Sequence, residues 1–107
     1  WQDFVTVQKP GGPDGAVVDS AGYLWNATWG GSRVVRYAPD GSIDRVVKVP
    51  VSQPSCPAFG GKDLKTLYIT TAREGLSAEQ LAKEPMAGSV FAINVDVPGL
   101  PENIIKL

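Results

Sequence analysis

A short segment and its echo constrain this chain more than any other feature. Pro13-Asp14-Gly15-Ala16-Val17-Val18 can be laid over Pro54-Ser55-Cys56-Pro57-Ala58-Phe59, 41 residues downstream. Leu24-Trp25 then matches Leu67-Tyr68 at an offset of 43, so the turn at residues 60–66 is two residues longer than its counterpart. Residues 88–95 resemble residues 31–38 once an insertion of 14 residues, 74–87, is allowed. A repeat of roughly 40–45 residues built from four short strands is the pattern of a β-propeller blade.

The first copy reads as a meander. Residues 16–19 form a small apolar strand of the kind buried on both faces. Ser20-Ala21-Gly22 supplies a hairpin turn, with glycine where a positive φ is needed. Residues 23–29 are rich in aromatic and β-favouring side chains and pair back. Gly30-Gly31-Ser32 and Pro39-Asp40-Gly41 punctuate two further strands, at 33–38 and 43–49. The second copy follows a proline-rich connection at 50–57. It lacks a clear fourth strand, because Val97-Pro98-Gly99-Leu100-Pro101 is broken by prolines and glycine.

Within the insertion, Ser77 and Gln80 have capping-box spacing, and residues 78–83 are good helix formers before Pro85. The expectation is an all-β chain of about two four-stranded antiparallel blades with one short helical insertion. Its parts are an edge strand or the end of a preceding blade at 4–7, a blade at 13–49, an incomplete blade at 54–97 and a tail at 98–107. Two blades cannot close a ring, and a chain opening at Trp1 almost directly in a strand points to a fragment. The rest would come from missing N-terminal blades or from further copies of the chain.

The formal net charge is −1, with ten basic residues scattered from Lys9 to Lys106. That distribution is no footprint for nucleic acid or an anionic membrane, and neither partner is expected. The single Cys56 leaves no internal disulfide and fits a reducing, cytoplasmic setting; it reads as a small core residue. Histidine is absent, which removes Ser-His-Asp and Cys-His machinery from this chain. Carboxylate, amide, hydroxyl and lysine chemistry remains, and such oxygen donors favour a hard divalent cation.

Residues 13–43, PDGAVVDSAGYLWNATWGGSRVVRYAPDGSI, followed by PSCPAFGGKDLKTLYITTAREGLS, resemble the C-terminal part, the penultimate and last blades, of the SMP-30/gluconolactonase/regucalcin family over residues 11–97. The second stretch is the more specific, with Phe59-Gly60-Gly61, Asp63-Leu64, Thr66-Leu67-Tyr68 and Ala72-Arg73-Glu74-Gly75-Leu76 in family order. The resemblance implies a six-bladed propeller that hydrolyses a sugar lactone with one divalent metal in its central channel. Calcium is the first candidate ion, with zinc, magnesium or manganese as the others. It further implies that Asp14 is one metal ligand and that a glutamate and an asparagine from earlier blades supply the rest.

On that resemblance Asp14 is both ligand and catalytic base. Read from spacing alone, an Asp before Gly is equally ordinary turn chemistry, as Pro39-Asp40-Gly41 illustrates. Ser55 occupies the repeat position of Asp14 and either lines the same channel or fills a place where a small residue is needed. Trp29 can stack on a sugar or pack at a rim. Arg73 can anchor a loop or contact an anionic substrate. Asp19, before a turn, is structural. Asn26-Ala27-Thr28 has the glycosylation pattern but falls within a strand. Two rival functions stand beside the lactonase: a non-catalytic propeller fragment serving as a binding module, and a related propeller esterase or lactonase of other specificity.

Overall fold

The computed structural model describes residues 3–102; Trp1, Gln2 and the end of the expected tail, 103–107, lie outside the described residues. Seven strands and one helix follow in the order β1 (Gly12–Val18), β2 (Leu24–Trp29), β3 (Arg33–Tyr37), β4 (Ile43–Lys48), β5 (Pro54–Gly60), β6 (Thr66–Thr71), α1 (Ala78–Lys83) and β7 (Phe91–Asn94). They form a four-stranded sheet, β1-β2-β3-β4, and a three-stranded sheet, β5-β6-β7. Every pairing is antiparallel and joins strands that are neighbours in sequence. The chain is therefore all-β with one short helix.

Turn chemistry sets the hairpins. Gly22 and Gly41 have φ of 83° and 88°, conformations in which a side chain would be strained. The Asp40 side chain also accepts from the backbone N–H and the hydroxyl of Ser42, at 2.9 and 2.6 Å. The helix starts as its cap requires, with Ser77 Oγ accepting from the Gln80 N–H at 3.1 Å. Gln80 does not reach back to close a capping box; its amide donates to Glu84 instead.

Alternation along the strands stacks the two sheets. Trp25, Ala27 and Val34 of the first sheet meet Leu67 and Ile69 of the second, with Val49, Val51 and Val95 completing the core. Trp25 and Phe59 meet edge to face across this interface, with ring centroids 6.2 Å apart. Gly99 closes it at one end: an added Cβ there would stand 2.3 Å from the Phe59 ring, so only glycine lets the chain pass. Residues 98 and 99, where the expected tail begins, are held against the first sheet. Ser20 N–H donates to the Pro98 carbonyl at 2.9 Å, and Gly99 bridges to Asp19.

Three expectations are corrected. Residues 4–7 form no strand; they cross the outer face of the first sheet, where Phe4 packs edge-on to Tyr37, because no described strand offers them a ladder. The strand expected at 16–19 is not buried on both faces. Val18 is 42% exposed, since among the described residues no second sheet covers that side. Cys56 is exposed rather than in the core, because it follows the β5 bulge, where its side chain lies against Gly15 of β1 and outside the buried cluster. No helix among the described residues is long and apolar enough to cross a membrane.

Candidate functional site

The two copies of the repeated segment become the first strands of their sheets, β1 and β5, and both carry a bulge near the start. On β1 the register passes from Pro13↔Thr28 to Ala16↔Asn26, so Asp14 and Gly15 together face Ala27. On β5 it passes from Pro54↔Thr71 to Cys56↔Thr70, leaving Ser55 as the extra residue. An inserted residue bends the strand and redirects its side chains, which is why bulges recur beside functional sites. The bulges also touch. A Cβ on Gly15 would lie 2.7 Å from Cys56 Sγ and 2.8 Å from the Ser55 carbonyl oxygen.

Asp14 stands on this shared ridge, exposed. Its carboxylate has no hydrogen-bond or ion-pair partner among the described residues, and its backbone carbonyl is held by Asn26 Nδ2 at 2.9 Å. Ser55 is half-buried, and its Oγ lies 2.7 Å from Thr70 Oγ1. Trp29, half-buried, ends β2 opposite Gly12, at the end of the sheet where the bulge lies. Arg73 lies just beyond β6 at the matching end of the second sheet. It is exposed, with its stem against Gly88, where a Cβ would come within 3.1 Å of Arg73 Cγ and Cδ. The fold thus makes Asp14 and Ser55 neighbours and sets Trp29 and Arg73 at the same end, Trp29 on the strand beside the first bulge and Arg73 just beyond the strand beside the second. It pairs neither Trp29 nor Arg73 with Asp14 through a hydrogen bond among the described residues.

A single carboxylate oxygen donor, open and unpartnered, suits a hard cation. It is one ligand of several. No group of three or more His, Cys, Asp or Glu residues able to hold a metal occurs among the described residues.

The family described as SMP-30/Gluconolactonase/LRE-like region matches residues 2–73. The chain belongs to this family. Among curated relatives, 6-deoxy-6-sulfogluconolactonase of Pseudomonas putida is 52% identical over 92 residues, 86% of this chain and 32% of that protein. L-arabinolactonase of Azospirillum brasilense is 52% identical over 98 residues, 91% of this chain and 32% of that protein. Among solved structures, the calcium-binding protein regucalcin of Agrobacterium tumefaciens superposes with a TM-score of 0.91 at 37% identity, over 99% of this chain and 36% of its own. The chain therefore spans about a third of the length of these family members.

The opposite end of the first sheet of this family member is occupied by structure, not chemistry. Asp19, 1% exposed, accepts from the backbone N–H groups of Ala21 and Tyr23, from Trp25 Nε1 at 2.9 Å and from the Arg36 guanidinium at 2.7 Å. Burial pushes its carboxyl pKa up, but the hydrogen bonds from Trp25 and Arg36, then Tyr23 and Ala21, outweigh it and hold the pKa below the ordinary value. Arg36 also stacks on Tyr23, 3.8 Å from the ring centroid, and reaches Asp44 at 2.9 Å. Asp19 is saturated and unavailable to a ligand.

Two partners of the site were not legible as such. Thr70 holds the Ser55 bulge, donating from Oγ1 to the Cys56 carbonyl at 3.2 Å. Asn26, seen in sequence only as a discounted glycosylation pattern, is 6% exposed, and its amide donates into the Asp14 bulge. The available signal was an amide in a strand whose second copy carries Ile69 at the same position.

Proposed function

We propose that this chain carries two successive blades of a six-bladed propeller whose complete form hydrolyses a sugar lactone with the help of one divalent cation. The observation that carries the reading is Asp14, a free carboxylate on a bulge at the first strand of a sheet in a family whose relatives are named lactonases. The name calcium-binding, borne by the regucalcin relative, favours calcium as the ion, and zinc, magnesium and manganese remain the alternatives. The substrate class is a sugar lactone, opened to the corresponding acid.

When bound, such a cation supplies Lewis-acid polarisation of the lactone carbonyl. Asp14 would contribute one oxygen to the ion and would accept the proton of the attacking water. Ser55, beside it, shapes the floor of the same channel. Trp29 and Arg73 line its rim, one offering an apolar ring face to the sugar and the other a cation to an anionic substituent. The remaining ligands come from blades preceding this chain or from further copies of it. The single cysteine is consistent with a cytoplasmic site of action.

The test is Asp14→Ala in the full-length protein. Lactone turnover should fall at least about a hundredfold, the scale of a lost acid–base group. The exposed position predicts unfolding free energy within about 0.5 kcal/mol of the parent. Retained turnover removes Asp14 from the mechanism.

A further inference from the structure

A bulge is a flexible place from which to aim a ligand, because the extra residue leaves the ladder locally unpaired. At the Asp14 bulge the slack is taken up by one side chain. Asn26 Nδ2 donates to the Asp14 carbonyl at 2.9 Å and to the Gly15 carbonyl at 3.2 Å. These are the carbonyls of the two residues that share one partner, Ala27, across the ladder. A single amide thus clamps both halves of the bulge, from a side chain that is 6% exposed.

The second sheet shows that the position does not otherwise call for an amide. Asn26 pairs with Ala16 as Ile69 pairs with Pro57, and Ile69 is fully buried in the core between the sheets. There the bulge is held from the next residue, where Thr70 reaches Ser55 and the Cys56 carbonyl. In the first sheet that place is Ala27, which has no polar group, and the task passes to Asn26. A buried amide is costly unless its donors are used, and here both hydrogen bonds go to the strand segment that presents Asp14.

We propose that Asn26 is a positioning residue for the metal site: its amide, bridging the Asp14 and Gly15 carbonyls, fixes the direction in which the Asp14 carboxylate leaves β1. This rests on the reading of Asp14 as a ligand. Asn26 touches neither ion nor substrate and acts through the backbone of Asp14.

The experiment is calcium titration by calorimetry on the full-length protein, comparing the parent with Asn26→Ile, which installs the residue of the second sheet, and with Asp14→Ala. Melting temperatures are recorded alongside. The expected result is loss of calcium binding in Asp14→Ala and at least a tenfold weaker affinity in Asn26→Ile, at a melting temperature close to the parent's. Parent affinity in Asn26→Ile, with binding lost in Asp14→Ala, overturns the positioning role and leaves the ligand reading standing. So does a lower melting temperature with parent affinity, which marks Asn26 as structural only. Parent affinity in Asp14→Ala overturns the ligand reading, and the positioning role with it. Should Asn26→Ile fail to fold, Asn26→Gln keeps the polarity but misplaces the donors by one methylene. A tenfold loss of affinity in that variant supports the proposal, and none overturns it.

Discussion

Gly15 and Cys56 are packed so closely that a single added methyl carbon at Gly15 would lie 2.7 Å from the Cys56 sulfur. This contact joins the first strands of the two sheets at the level of Asp14 and Ser55. Gly15→Ala should therefore cost about 1–3 kcal/mol through overpacking, read as a lower denaturation midpoint. Pairing it with Cys56→Ala should restore only part of the loss, because the Ser55 carbonyl oxygen crowds the same point at 2.8 Å.

Asp19 makes stability depend on pH with a defined sign. Its folded-state pKa lies below the ordinary value of 3.8, so its stabilising contribution is complete above that value. As pH falls through 3.8 the unfolded chain takes up the proton first, and the contribution disappears by the lower, folded-state pKa. Glu84 behaves alike from 4.5, held down first by Gln80 and then by the Ser52 N–H. Denaturation midpoints should be level from about pH 8 to 5 and fall below that, within the range where carboxylate linkage acts. Asp19→Asn should flatten the lower part of the fall. An unchanged profile would contradict the network.

Glu84 ties the helical insertion to the body of the protein. It is 7% exposed at the C-terminal end of α1 and accepts the Ser52 N–H from the connection between the sheets at 2.5 Å. Glu84→Ala leaves that N–H without its partner, at a cost of about 1–3 kcal/mol. Hydrogen exchange should show the loss locally, with faster exchange at Ser52 and through α1 while the β2 and β6 amides stay protected.

Core and outer face should respond differently to truncation. Leu67→Ala empties a fully buried site between the sheets and should cost about 2–5 kcal/mol by chemical denaturation. Val46, 44% exposed on the outer face of the first sheet, should tolerate alanine within about 0.5 kcal/mol in this chain. A larger loss at Val46 in the full-length protein would show that another part of the molecule covers this face.

What could be read in the sequence was whatever is local. Gly22 and Gly41 mark turns because their backbone angles exclude side chains, and Ser77 marks a helix start because its hydroxyl serves an N–H three residues on. The repeat located two sheets because the same spacing recurs around Asp14 and Ser55. Features that join distant residues were not legible. Arg36 and Asp19 are 17 residues apart and give no sign of their pairing in a string. Residues 4–7 have the composition of a strand and find no pairing partner among the described residues, which composition cannot reveal. Cys56 looked like a core residue because its type usually is one, whereas the bulge at Ser55 decides which way β5 turns it. Asn26 was hidden for the same reason: its role exists only once a register shift brings two carbonyls to one amide.

The sequential order of strands has a consequence for how the chain acquires its shape. Each strand pairs with the one just before it, so loop closures are short and each sheet can zip up as its last hairpin emerges. The longest-range backbone contact among the described residues is the junction of Ser20 and Asp19 with Pro98 and Gly99, which spans most of the described chain. Its closure must await both sheets. Contact order therefore predicts that the hairpins form before the junction at Asp19, which lies at the end of the first sheet remote from Asp14.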